Sequence, residues 1–131
     1  MKSETEELIK IFGLTNTDWM GYIIKRKQDI TFHHLQKKVD GGLYEINNGA
    51  LLNGSTAHPY LHLIEAKDFD MYEYINNILK NINAQRFNPT HRQLLAIHAI
   101  LEQFEREHCG DRTKKGRPLI KPEYVERRIK L

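Results

Sequence analysis

The chain has 131 residues, a net charge of +3, 40% hydrophobic residues and a single cysteine. This length suits one domain, residues 1–131, and no apolar run approaches the roughly 20 residues that span a bilayer. The lone Cys109 excludes an intramolecular disulfide and a cysteine-rich zinc ribbon. The N-terminus is polar and acidic, unlike a signal peptide, so a reducing cytoplasm is the expected location.

Spacing of apolar residues predicts a mostly helical chain with one small β element. A first helix is expected to end at Gly13, and the apolar stretch 18–24 fits either a short helix or a strand. Residues 30–35 are β-branched and aromatic, which favours a strand, and residues 50–52 form a short candidate second strand. Asn53-Gly54 then predicts a turn.

The second half of the chain predicts helices. Their expected starts are Ser55 or Thr56, Asp68 or Asp70, Thr90, and Pro122. Gln93 lies three residues after Thr90, as in a capping box, and Gly110 is expected to end that helix. The predicted fold class is therefore α+β, mainly helical.

The charge is unevenly distributed. Residues 1–111 contain twelve Lys/Arg and fifteen Asp/Glu, a net −3, whereas residues 112–131 contain eight and two, a net +6. Such a basic C-terminal tail can contact nucleic-acid phosphates whatever the base sequence. A solvated, partly disordered tail explains the same charge equally well.

Four histidines fall within the β element and the helix that follows it. His33 and His34 are neighbours on the strand, so their rings point to opposite faces and they do not readily bind one metal. His58 and His62 lie on one helix face. A hairpin packed on that helix adds one histidine of the pair, giving the three imidazoles and open position of a catalytic zinc site. The remaining histidine can then act as a general base, since its ordinary pKa is near ~6.5.

These histidines, together with Gly41-Gly42 and Asn48, resemble the HNH endonuclease motif in the His-His form of colicin-type nuclease domains. The resemblance covers residues 30–62 and implies a ββα-metal core over 30–64 with flanking helices. It makes three residues ligands of one divalent ion (Zn²⁺, Mg²⁺, Mn²⁺ or Ni²⁺), namely His33, His58 and His62. It also makes His34 the general base and Asn48 the residue that orients His34.

The chain departs from the family pattern in two ways. One extra residue lies between Asn48 and His58, which leaves Asn47 and Asn53 as alternatives for the asparagine role. The paired Cys-X-X-Cys ribbons of many HNH proteins are absent from the sequence, so helices are expected to hold the fold.

The resemblance implies metal-dependent hydrolysis of DNA phosphodiester bonds, with RNA not excluded, no membrane partner, and either a monomer or a homodimer. Because small HNH proteins are often phage- or mobile-element-borne, a bacterium or phage-infected cell is the expected host. The cations expected to contact phosphates are Lys37, Lys38, Arg112, Lys114, Lys115, Arg117, Arg127 and Arg128. The alternatives are a non-catalytic, metal-stabilised nucleic-acid-binding or regulatory protein, and a metal-free inhibitor or interaction protein.

Overall fold

The computed structural model describes residues 3–131. Within these residues, five α-helices and a two-stranded antiparallel sheet follow one another as α1 (Ser3–Phe12), β1 (Ile30–His34), β2 (Gly49–Asn53), α2 (Ala57–Lys67), α3 (Phe69–Gln85), α4 (His91–Glu107) and α5 (Pro122–Glu126). The predicted α+β, mainly helical class is confirmed. No helix in this range is both long and apolar enough to cross a membrane.

The hairpin β1–β2 and the following α2 form a ββα unit that contains all four histidines. In the hairpin, His33 pairs with Ala50 and His34 with Gly49. Side chains alternate between the two faces, so Phe32 lies towards α1 while His33 lies towards α2 and α3. A Cβ on Gly49 would overlap the Phe32 ring, and glycine therefore allows that ring to close over the sheet.

Side-chain caps set the starts of α3 and α4. The Asp68 carboxylate accepts a hydrogen bond from the Met71 N–H (3.1 Å), and Thr90 and Gln93 exchange the two bonds of a capping box. Both predicted starts are confirmed.

The predicted end of α4 at Gly110 is wrong, because the helix ends at Glu107. The His108 ring bonds Asp111 (2.8 Å) and closes a turn, in which Gly110 has a φ of +83°.

The apolar stretch 18–24 forms neither a helix nor a regular strand. The buried carboxylate of Asp18 accepts hydrogen bonds from the backbone N–H groups of Met20 (2.8 Å), Tyr22 (2.9 Å) and Asn53 (2.7 Å). Such side-chain bonds compete with regular secondary structure. They tie this turn to the end of β2, which explains why apolar spacing alone left the segment ambiguous.

The end of the basic tail is part of the folded structure. Ile129 donates a backbone hydrogen bond to Gly21 (2.9 Å), and the Tyr124 ring of α5 stacks on Tyr60 of α2, with centroids 4.8 Å apart. Residues 122–129 therefore pack behind α2, and this part of the tail is ordered in the structure.

Candidate metal centre

Three histidines from two elements converge beside the sheet. His33 comes from β1, and His58 and His62 come from successive turns of α2. One ring nitrogen of each lies within 4.8 Å of the others. His33 is buried, His58 half-buried and His62 exposed, so the cluster reaches the surface on the His62 side. The predicted ligand set is thus brought together.

Asn76 of α3 fixes the protonation of the His33 ring. Its Nδ2 donates to the backbone carbonyl of Leu35 (2.9 Å), which leaves its Oδ1 facing Nε2 of His33 (2.9 Å). Because an amide oxygen can only accept, the proton is on Nε2 and the lone pair is on Nδ1. A ring N–H held by a neighbouring acceptor is the usual environment of a metal-binding histidine.

Thr31 and Glu65 are the hydrogen-bond acceptors for the rings of His58 and His62. The Thr31 hydroxyl donates to a backbone carbonyl of β2 (3.0 Å) and therefore accepts from Nδ1 of His58 (2.7 Å). The Glu65 carboxylate accepts from Nδ1 of His62 (3.2 Å) and forms an ion pair with Lys37. Both histidines thus have Nε2 available as a metal ligand.

The two inner rings are neutral at pH 7. Burial lowers the pKa of His33 to about 3 and that of His58 to about 4, because a charged imidazolium would lose its solvation. The bond to Asn76 opposes this shift at His33, and the neighbouring histidines add to it. Neutral imidazole is the form that binds a metal.

The spacing of the three rings suits one ion after a small adjustment. With Zn–N bonds of about 2.1 Å at tetrahedral angles, two nitrogens on one zinc lie about 3.4 Å apart. The observed nitrogens lie within 4.8 Å of one another, so ring rotations that close at most about 1.4 Å would complete the set. The residues present therefore fit a borderline cation bound by nitrogen.

His34 lies on the other face of the strand from His33, as alternation predicts. Its ring contacts Tyr44 edge-on, with centroids 4.2 Å apart, and Phe32 at 5.0 Å. His34 is half-buried, and its charge is close enough to lower the pKa of His58. It is thus a fourth imidazole beside the cluster whose ring is held by aromatic contacts.

Asn48 holds the backbone directly after His34. Its Oδ1 accepts from the Gln36 N–H (2.7 Å), and its Nδ2 donates to the carbonyls of Gln36 and Leu43 (3.0 Å each). The Asn48 carbonyl also accepts from the Leu35 N–H (2.9 Å). Asn48 is therefore placed to position His34 through the main chain.

The two alternative asparagines have other partners. Asn47 accepts a hydrogen bond from Arg86, and Asn53 donates to the Ile23 carbonyl (3.0 Å) at the opposite end of the hairpin. Neither contact involves the segment that follows His34, so Asn48 is the one of the three asparagines that bonds this segment.

Two predicted phosphate-binding lysines flank the histidines. The Lys37 ammonium is paired with Glu65, the partner of His62. The Lys38 ammonium lies 4.6 Å from the centroid of the Tyr44 ring, the neighbour of His34. Both cations are therefore beside the candidate site.

The basic tail begins with an ordered hairpin. Backbone bonds between Thr113 and Arg117 (2.8 Å) and between Gly116 and Thr113 (2.9 Å) close its turn. The predicted cations Arg112, Lys114, Lys115 and Arg117 are all exposed. A cavity of about 520 Å³ here is lined by three of them and by Lys121, which sequence reasoning missed, and by no acidic side chain. The hairpin is thus a cationic surface.

The prediction that Arg128 contacts phosphates is wrong. Its side chain is 9% exposed, and its guanidinium donates to both carboxylate oxygens of Glu105 (2.6 and 2.8 Å). Its charge is therefore neutralised within the fold. The adjacent Arg127 is exposed, so that prediction stands.

Sequence reasoning missed the three residues whose side chains accept a hydrogen bond from a ring nitrogen of the histidine trio. Thr31 shares the strand face of His33, and Glu65 lies one helical turn after His62, so local periodicity contained a signal for both. Asn76 had none, because it is 43 residues away from its partner His33.

No known protein family, curated protein or solved structure matches this chain. The resemblance to HNH endonucleases therefore depends on the motif residues and stays a prediction. Chemically, the arrangement offers three oriented imidazoles, two of them neutral, with a fourth imidazole beside them and cations at the rim and in the tail.

Proposed function

We propose that this protein is a metal-dependent endonuclease that hydrolyses DNA phosphodiester bonds. The observation that supports this best is the histidine trio, in which each ring has one nitrogen bonded to an acceptor and one nitrogen of each ring lies within 4.8 Å of the others. The resemblance to the HNH motif gives the same residues the same roles. RNA is the alternative substrate.

His33, His58 and His62 would hold the ion. Imidazole suits zinc and nickel, whereas magnesium and manganese prefer oxygen ligands, so Zn²⁺ or Ni²⁺ is the better match among the four candidates. When bound, the metal would neutralise charge on the phosphoryl oxygens and on the leaving oxygen.

His34 is the proposed general base. It would take a proton from water, whose oxygen then bonds to phosphorus as the P–O3′ bond breaks and the electron pair leaves with O3′. O3′ then takes a proton from solvent water, which yields a 3′-hydroxyl end and a 5′-phosphate end, and His34 returns its proton to solvent. Asn48 would position His34 through the backbone of Gln36, and Tyr44 would restrain its ring.

The exposed cations would bind the DNA backbone. Lys38 lies beside the proposed base, and the hairpin cations offer phosphate contacts that release counterions and need no base recognition. A reducing cytoplasm remains the proposed location, since Cys109 is exposed and free.

The deciding experiment is cleavage of supercoiled plasmid with added Zn²⁺, Ni²⁺, Mn²⁺ or Mg²⁺. We expect nicked or linear products that EDTA abolishes. His34→Ala should lower the rate by about 10²–10⁴-fold and still bind metal. His91→Ala is the matched control, because His91 is exposed at the start of α4 and should leave the rate unchanged. Metal binding without cleavage by the wild type would favour the non-catalytic alternative.

A further inference from the structure

A groove of about 760 Å³ runs between α3 and the loop that connects β1 to β2. It begins next to the histidine trio, because Tyr72 and Lys37 line it and Asn76 joins its wall to His33. Its further end is lined by Arg86, which follows α3. Apart from Asn48 and Lys37, which line its near part, the proposed nuclease chemistry does not use this surface.

The near end of the groove presents an exposed aromatic face. Phe69, in the first turn of α3, is 54% exposed and stacks on Tyr72 with centroids 5.8 Å apart. Tyr72 in turn lies edge-on to His33, at 6.4 Å. Across the groove, Val39 is 88% exposed. The outer face of the Phe69 ring is therefore free for another flat group, close to the trio.

Tyr72 adds a donor without a partner. Its side chain is 4% exposed, and within residues 3–131 its hydroxyl has no hydrogen-bond partner. A buried hydroxyl left unpaired is unfavourable, so a ligand acceptor that reached this position would recover the lost hydrogen bond. The hydroxyl is thus an independent sign of a ligand in the groove.

Cations outnumber acids along the groove. Lys37, Lys80 and Arg86 line it together with Asp40 and Glu73. Lys80 is exposed on α3, and no ion pair to it occurs in the described part of the chain. Because Lys37 is paired with Glu65, Lys80 is the groove cation most open to an anionic group.

We infer that this groove binds an unpaired nucleic-acid strand, with one base stacked on Phe69 and the following phosphates near Lys80 and Arg86. The inference rests on the proposed function, because the histidine trio is what makes a nucleic acid the expected occupant. Bases within a duplex are already stacked on both faces, whereas an unpaired base can stack on an exposed ring beside a cationic track.

The test is fluorescence anisotropy with labelled oligo(dT) and with a duplex of equal length, in EDTA so that nothing is cut. We expect Phe69→Ala to weaken oligo(dT) binding by about 5–150-fold, the range found for one base–aromatic stack. Tyr74→Ala is the matched control, since Tyr74 is a 69% exposed aromatic on the same helix that does not line the groove. It should bind as the wild type does.

Tyr72→Phe separates binding from folding. Removing an unpaired buried hydroxyl should leave the melting temperature unchanged or raise it, whereas oligo(dT) affinity should fall by about 5–10-fold, the value of one hydrogen bond. A purely structural Tyr72 predicts no loss of affinity.

Several results would overturn the inference: no oligo(dT) binding by the wild type, unchanged binding by Phe69→Ala, or an equal loss on the duplex. Absence of oligo(dT) binding would favour a protein partner as the molecule that covers the exposed apolar residues. Because binding is measured without cleavage, the two proposals fail separately. Oligo(dT) bound through Phe69 without any plasmid cleavage would refute the nuclease alone, and cleavage with unaffected Phe69→Ala binding would refute the groove alone.

Discussion

Asn76→Ala tests whether the histidine trio is built to bind metal. This change removes the acceptor of the His33 N–H and the donor to the Leu35 carbonyl, both of them buried. Loss of such an orienting partner typically lowers metal affinity by 10–100-fold, or about 1.4–2.7 kcal/mol. Leaving the two buried groups unpaired should also cost about 1–3 kcal/mol of unfolding free energy each.

The assay is calorimetric titration of metal-free protein with Zn²⁺ at neutral pH. Asn77→Ala is the matched control, because Asn77 is exposed and adjacent in sequence, and its zinc affinity should match the wild type. Asn76→Asp keeps an acceptor for His33 but loses the donor to Leu35, so it should be less stable and still bind zinc. An unchanged zinc dissociation constant in folded Asn76→Ala would refute the reasoning.

Three further predictions concern stability and surface charge. Arg128→Ala should lower the unfolding free energy measured in urea by about 3–5 kcal/mol, because it leaves the Glu105 carboxylate unpaired. The control Arg127→Ala removes an exposed arginine and should change the unfolding free energy by less than about 0.5 kcal/mol. Equal effects of the two changes would contradict the buried ion pair. Zn²⁺ at 100 times its dissociation constant should stabilise the wild type by about 2.7 kcal/mol and His62→Ala far less; similar gains would place the ion elsewhere. Replacing Lys114 and Lys115 by alanine should reduce the slope of log K for duplex binding against log salt concentration by about 0.9 for each phosphate that these lysines neutralise. Lys10→Ala should leave this slope unchanged. An unchanged slope in the double variant would remove the hairpin from the DNA interface.

Local signals in the sequence were enough for the elements that hold the histidines. A β-branched start and aromatic content predicted β1, and caps at Asp68 or Asp70 and at Thr90 predicted the starts of α3 and α4. The opposite directions of His33 and His34 follow from the strand period alone. These features depend on residues within a few positions of one another, which is the range that periodicity and capping describe.

Features that depend on distant residues could not be predicted. Nothing near Asn76 indicates that its amide meets His33, since only the packing of α3 on the sheet joins them. Charge counting treated Arg128 as one of eight tail cations, but its partner Glu105 lies 23 residues earlier on α4. Composition gives the number of charges, whereas the fold decides which of them are neutralised.

The two faces of α2 connect the candidate site to the tail. His58 and His62 face the trio, while Tyr60 points the other way, donates to Glu105 (2.8 Å) and stacks on Tyr124. Glu105 is in turn held by Arg128. The helix that supplies two metal ligands is therefore supported from behind by the C-terminal segment. Ligands on a rigid, supported helix keep their spacing before metal arrives, so the tail supports the candidate site through Arg128, which holds α2 from behind through Glu105.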